Sequence, residues 1–291
     1  MRQEKMFSAI DTKNYLNLSG IKRNYCLFVP SQKNPAKPLP ILFMFHGDGG
    51  TSVHASQNYG WKEKAMKEEF IVVFPEARCG DPTKPPNFVS NPSSWSYDVE
   101  GNLEFIKEIL GYLKNSYSID QNRIYLTGFS RGAFLSFRAG IAFADQIAAI
   151  GPVCGYFPEK DHHLVKKPLP IMMIVGDSDP TNPIDGGRGK ASPWRSILEE
   201  KRPMIESLYP WLDCMGIDHS NFTVKQDHSK KILHYGPEGL ETEIFYIVVK
   251  GQGHEWPGGP QVMHAELTGK NLQNVKATDF LWDFFKTKAL K

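Results

Sequence analysis

Four cysteines, Cys26, Cys79, Cys154 and Cys214, stand far apart in a 291-residue chain and form no Cys-x-x-Cys pair. A structural zinc site needs closer ligand pairs, so none is expected. Cys26 and Cys154 lie in apolar, strand-like contexts that suit packing as small hydrophobes; a disulfide involving Cys79 or Cys214 stays open. The adjacent His162 and His163 lack a third ligand at suitable spacing, so no metal is expected there either. Nowhere do about 18 apolar residues run together, which excludes a membrane-spanning helix. The segment from Met1 to Phe7 lacks the apolar core of a signal peptide. The chain therefore reads as soluble, either cytoplasmic or exported with a leader absent from this chain. The formal net charge is only +2, too small for the concentrated basic footprint of a nucleic-acid binder. No internal repeat or low-complexity tract is present, and oligomeric state is not legible.

What is present is enough material for one large α/β domain, expected to span residues 1–291 without a linker. Short apolar runs alternate with helix-like stretches. Strands are expected over Asn24–Val29, Ile41–Phe45, Phe70–Phe74, Arg123–Thr127, Ala148–Val153, Ile171–Val175 and Ile244–Val249. Leu103, Ile106, Leu110 and Leu113 recur every three to four residues, which predicts an amphipathic helix over Leu103–Tyr117. Further helices are expected over Trp61–Glu69, Ala133–Ala139, Thr278–Lys286 and, interrupted at Pro203 and Pro210, Trp194–Leu212. A hairpin is expected about Gly236-Pro237-Glu238-Gly239. The Pro-rich excursion from Pro75 to Ser96 is a loop. Such alternation implies a mostly parallel sheet with helices on both faces.

The chemistry gathers where strands end. Arg123–Thr127 leads into Gly128-Phe129-Ser130-Arg131-Gly132 and then into a helical stretch. Strand, Gly-x-Ser-x-Gly, helix is the context of a nucleophile elbow, with a strained serine whose hydroxyl stands clear of the sheet at a helix N-terminus. Ile171–Val175 leads into Gly176-Asp177-Ser178-Asp179, which sets an acid past a strand's C-terminal end. Ile244–Val249 leads into Lys250-Gly251-Gln252-Gly253-His254-Glu255-Trp256, where glycines let the loop bend the histidine toward the serine. The order Ser, Asp, His is that of α/β-hydrolases. Ile41–Phe45 leads into His46-Gly47-Asp48-Gly49-Gly50, whose backbone N–H groups, with that of Arg131, would hold an oxyanion; Asp48 is the chosen second donor. His46 suits a bracing role in that loop. Trp256, two residues past the histidine, and Trp95, in the long loop, are candidate walls of a substrate pocket.

These segments resemble those of the esterase family that includes polyhydroxybutyrate depolymerases, feruloyl esterases and acetyl xylan esterases. The resemblance runs from about residue 18 to about 260. It rests on Ser19-Gly20-Ile21-Lys22-Arg23-Asn24-Tyr25 with Phe28-Val29-Pro30, on the His46–Gly50 and elbow segments, and on Gly176–Pro183 with Gly186-Gly187. Its most specific part is His254-Glu255-Trp256-Pro257-Gly258-Gly259. It implies an α/β-hydrolase fold and carboxylic-ester hydrolysis through an acyl-enzyme without a cofactor. Ser130 is then the nucleophile, His254 the base and Asp179 the acid; Asp177 and Asp185 remain as alternatives suited to bracing turns. The substrate would be a small or polysaccharide-linked feruloyl, acetyl or short hydroxyalkanoate ester. Acyl transfer by the same triad, or non-catalytic binding of a carbohydrate or ester, are the rival readings. Arg131 departs from the family pattern, where a small or polar residue is expected, and its side chain would narrow the site or meet an anionic group.

Overall fold

The computed structural model describes residues 9–32, 34, 36–81, 92–190, 200–236 and 242–291. Its strands are β1 (Ile10–Leu18), β2 (Ile21–Val29), β3 (Leu39–Phe45), β4 (Ile71–Pro75), β5 (Ile119–Phe129), β6 (Ala149–Val153), β7 (Ile171–Gly176), β8 (Phe222–Gln226), β9 (Lys230–Tyr235) and β10 (Ile244–Val249). Its helices are α1 (Ser52–Asn58), α2 (Trp61–Glu68), α3 (Val99–Ser116), α4 (Arg131–Ala142), α5 (Tyr209–Met215), α6 (Ala265–Thr268) and α7 (Ala277–Phe285). All ten strands join one sheet in the order β1-β2-β4-β3-β5-β6-β7-β10-β9-β8. The six central strands, β4 to β10 in that order, run parallel, and an antiparallel pair is added at each edge. Together with the flanking helices this is the α/β-hydrolase architecture.

Burial explains why the central strands read as unbroken apolar runs. A strand covered on both faces has no polar side to alternate with. In β3, Ile41, Phe43 and Phe45 pack on one face with Leu103, Phe105, Ile109 and Leu113 of α3 and Leu135 of α4. Leu42 and Met44 pack on the other with Trp61 of α2 and Leu281, Trp282 and Phe285 of α7. Each face thus closes its own core, and the parallel strands all present their C-terminal ends to the same edge of the sheet.

Three elements were not apparent in the sequence. Every residue of β8 is exposed, and β1 is exposed or half-buried along its length. An outermost strand that faces water carries little apolar signal. The β1–β2 hairpin turns on Ser19 and Gly20, both at positive φ (51° and 81°), as a two-residue turn with right-handed strand twist demands. Helix α1 is mostly polar and is announced only by its cap, Thr51, whose hydroxyl accepts from the His54 N–H. Over the described part of the expected Trp194–Leu212 helix, residues 200–212, the chain forms a 3₁₀ turn at Met204–Leu208 followed by α5, with Pro210 in the first helical turn, where its missing N–H costs nothing. Trp194 itself, residues 82–91 of the expected loop and the tip of the β9–β10 hairpin lie outside the described residues. All four cysteines are free thiols. Among the described residues, no helix is long and apolar enough to cross a membrane.

The elbow depends on glycines that leave no room for a side chain. A Cβ on Gly132 would lie 2.2 Å from the Phe45 carbonyl oxygen, and one on Gly128 would lie 2.2 Å from the Gly132 oxygen. Gly132→Ala is therefore expected to lower stability by about 1–3 kcal/mol through overpacking against backbone. Urea unfolding of the two proteins measures this, and an unchanged midpoint would contradict the close approach.

Candidate active site

Ser130 stands between β5 and α4 at φ 55° and ψ −114°, a conformation costing about 1–3 kcal/mol that only a rigid surround can hold. Its backbone N–H donates to the Val153 carbonyl at the end of β6 (2.8 Å), which fixes the turn to the sheet. Its Oγ lies 2.9 Å from His254 Nε2. His254 Nδ1 lies 2.7 Å from Asp179 Oδ2. The imidazole thus carries its proton on Nδ1, donates it to the carboxylate, and leaves Nε2 to accept from the serine hydroxyl. Residues 124 and 75 positions apart in sequence meet in one hydrogen-bonded line.

The backbone holding each partner is tied down. Asp179 Oδ1 accepts from the Thr181 and Asn182 N–H groups (2.8 Å each), an Asx turn that leaves Oδ2 for the histidine. Asn182 Nδ2 in turn donates to the Cys154 carbonyl (2.8 Å). Asp177, the alternative acid, faces elsewhere: its Oδ1 accepts from Gly251 N–H (2.6 Å) and from the Ser178 hydroxyl, so it joins the acid loop to the histidine loop. A strap formed by residues 268–272 holds the histidine loop, where Gly253, His254 and Gly258 N–H groups donate to the carbonyls of Lys270, Thr268 and Leu272. Glu255 is buried, and its Oε1 accepts from Thr268 Oγ1, Met263 N–H and Gln261 Nε2 (3.0–3.2 Å). It fastens the segment that supplies Pro260, Val262 and Met263 to the cavity wall.

The glycine-rich loop after β3 faces the elbow. Gly49 N–H donates to the Ser93 carbonyl and Gly50 N–H to that of Gly47, so both are engaged. Among the described residues, Asp48 N–H donates to no backbone carbonyl. The Arg131 N–H opens α4 directly after the serine. The Arg131 side chain turns toward the Asp48 carboxylate, with Nε 3.5 Å from Oδ2, so the departure from the family pattern is answered by a counter-charge within the same loop pair. His46 is fully buried and neutral: Nδ1 donates to the Gly47 carbonyl (2.7 Å) and Nε2 accepts from Ala77 N–H (3.1 Å). It braces the loop from beneath.

A cavity of about 250 Å³ opens over Ser130 and His254. Its apolar wall is made by His54, Tyr59, Phe129, Trp256, Val262 and Met263. Trp256 stacks on Tyr59 (centroids 4.8 Å apart) and donates to Thr278 Oγ1. Trp95 is not on this wall, a correction to the expectation. It is fully buried, and its Nε1 donates to the His46 carbonyl (2.8 Å), so it anchors the loop beneath the site. Polar lining comes from Thr181, Asn182 and Lys201. Nothing in the sequence pointed to Lys201 or Tyr59, which belong to no motif; Glu255 lay inside the histidine motif, but its task depends on residues far along the chain. Among the described residues, no three of His, Cys, Asp and Glu gather as a metal site requires.

The fold and this cleft define the chain as an α/β-hydrolase. The sequence profile of the phospholipase/carboxylesterase family matches residues 24–205, and the chain belongs to that family: it is a carboxylesterase-type hydrolase. A bifunctional acetylxylan esterase/xylanase of Neocallimastix patriciarum is 28% identical over 83% of this chain, which spans about a third (32%) of that longer protein. Among solved structures, an acetyl xylan esterase from Aspergillus awamori superposes with a TM-score of 0.62 at 14% identity, covering 95% of this chain and 99% of that one. A ferulic acid esterase from Anaeromyces mucronatus superposes with a TM-score of 0.57 at 16% identity, covering 99% and 93%.

Burial lowers the pKa of His46, and likewise of His54, below the usual histidine value. Their folded forms bind a proton less readily than the unfolded chain does. Stability is therefore full above about pH 6.5, the ordinary histidine pKa, and is lost as pH falls below it. Urea midpoints measured between pH 7.5 and 5 are expected to decline across that window; a flat or rising profile would contradict the buried neutral state.

Proposed function

We propose that the protein is a serine carboxylic-ester hydrolase, one domain acting through an acyl-enzyme on feruloyl, acetyl or short hydroxyalkanoate esters. The observation that carries the reading is the hydrogen-bonded line from Ser130 Oγ through His254 to Asp179. A serine hydroxyl is a weak nucleophile at neutral pH and needs a base within hydrogen-bond reach. Here Ser130 Oγ attacks the ester carbonyl carbon while its proton passes to His254 Nε2. Asp179 stabilises the imidazolium and keeps the ring in the required tautomer. The carbonyl oxygen, now negative, accepts from the N–H groups of Asp48 and Arg131, each contributing about 3–4 kcal/mol to barrier lowering. Collapse breaks the bond to the alcohol, which leaves with the proton from Nε2. Water then repeats the sequence on the acyl-enzyme, with His254 again the base, and the acid departs.

The cavity supports the acyl side of this assignment. Its volume of about 250 Å³ falls below the range of about 300–1,000 Å³ that encloses drug-sized ligands. It suits one acyl group, not a length of polymer. Aromatic and aliphatic walls favour an apolar acyl chain or ring. A second, larger cavity of about 740 Å³ adjoins it and shares Arg131, Phe134, Tyr156 and Lys201. Its remaining lining is largely charged, which suits a polar alcohol. Relatives named acetylxylan esterase and feruloyl esterase support acyl groups of this kind, and the former name pairs its acyl group with a polysaccharide alcohol.

Turnover of p-nitrophenyl acetate and methyl ferulate by wild type and by Ser130→Ala tests the reading, together with labelling by a fluorophosphonate probe. Ser130→Ala is expected to lose both labelling and turnover. Asp179→Asn should lower kcat by about 10⁴-fold by favouring the wrong tautomer. Equal turnover by wild type and Ser130→Ala would sink the assignment. Should an added alcohol acceptor capture most of the acyl group in place of water, the protein is an acyltransferase.

A further inference from the structure

Lys201 is buried, about 9% exposed, yet stands on the wall of the cavity over Ser130. Its ammonium donates to two oxygens of a single turn: Asn182 Oδ1 at 2.6 Å and the Thr181 carbonyl at 2.9 Å. These are the two residues whose N–H groups hold Asp179 Oδ1. Asn182 is thereby gripped at both ends of its side chain, since its Nδ2 donates to the Cys154 carbonyl beside the elbow. The Lys201 backbone is itself fixed. Lys201 and Gly187 exchange both main-chain hydrogen bonds (2.8 and 3.1 Å), and Met204 N–H donates to the Ile184 carbonyl. The acid loop is thus fastened from its far side by a short stretch of chain whose Lys201 ammonium ends on the acid's own turn.

We infer that Lys201 is a positioning residue, which locks the Thr181-Asn182 turn so that Asp179 meets His254 in the geometry of proton transfer. The inference rests on the serine-hydrolase reading above. A long flexible side chain is costly to order, and an ammonium is costly to bury. Both costs are met here by hydrogen bonds to oxygens of a turn whose amides already point at a carboxylate. Such linked bonds polarise one another, so that each strengthens the next. On the Thr181 carbonyl the ammonium polarises the peptide group that carries the Asn182 N–H and makes that N–H a better donor to Asp179 Oδ1; on Asn182 Oδ1 it strengthens the bond from Nδ2 to the Cys154 carbonyl. The carboxylate stays fixed, with Oδ2 directed at the ring. Removing the ammonium leaves the turn free to shift, and a shift of about 1 Å at a catalytic group can cost about 100-fold in rate.

The test compares wild type, Lys201→Met and Lys201→Arg on p-nitrophenyl acetate and on a carboxylate-bearing ester, mono-p-nitrophenyl succinate. Lys201→Met is expected to lower kcat by about 10- to 100-fold on both esters, with KM within threefold of wild type. Lys201→Arg, which keeps a charged donor, is expected to recover most of that loss. A kcat within twofold of wild type in Lys201→Met overturns the inference. So does a loss confined to KM for the succinate ester, because the ammonium would then be a contact for the substrate's anionic group. Should Lys201→Met fail to accumulate as folded protein, Lys201→Ala, which removes the donor without setting a long apolar chain against the turn, is read by the same criteria. Ser130→Ala serves as the control for the parent reading. Its inactivity beside a fully active Lys201→Met removes only the role of Lys201, whereas activity in Ser130→Ala removes both.

Discussion

The first turn of α4 lies against the last residues of β3 with almost nothing between them. Gly132 sits where a methyl group would strike the Phe45 and His46 carbonyls, Gly128 where it would strike Gly132, and Gly155 where it would strike the Ser130 carbonyl at 2.2 Å. Three chain segments converge at backbone distance, and Ser130 is the residue left to absorb the geometry. Its left-handed conformation is tolerable because parallel strands on either side hold the turn in place. The same approach brings the loop after β3 to the start of α4, so that Asp48 and Arg131 meet. A looser junction would relax the serine and also part Asp48 from Arg131.

From this contact outward, the cleft is built of loops that carry almost no regular structure and yet have little freedom. Each takes its rigidity from hydrogen bonds that a helix or strand would have made internally. The acid turn is folded over its own carboxylate, the histidine loop is bound to the 268–272 strap, and the glycine-rich loop rests on a neutral histidine and a buried tryptophan. Burial of His46 serves this arrangement directly. A charged ring could not accept from Ala77 N–H, so the low proton affinity imposed by desolvation preserves the brace.

The sequence was most legible where burial is two-sided and local chemistry is unusual. The central parallel strands appeared as apolar runs, and the elbow, acid and histidine loops appeared because glycines and functional residues cluster where those runs stop. Strands β1 and β8 were silent, because an edge facing water needs few apolar side chains. Trp95 was misassigned because loop position says nothing of direction: the ring turns inward, under the site, and not toward the cavity. Lys201 left no trace at all. Its importance lies in meeting a turn some twenty residues earlier, and nothing in Glu200-Lys201-Arg202 distinguishes that lysine from its charged neighbours.

The strap at residues 268–272 has a consequence for the order in which the molecule matures. The hydrogen bonds within the elbow and the turn over Asp179 come from residues up to 204, but the main chain of His254 is held by carbonyls that follow it. A chain made only as far as about residue 260 would therefore carry the strained serine without a seated imidazole beside it. The ring is seated against Ser130 and Asp179 only after residues 268–272 have been made and have docked.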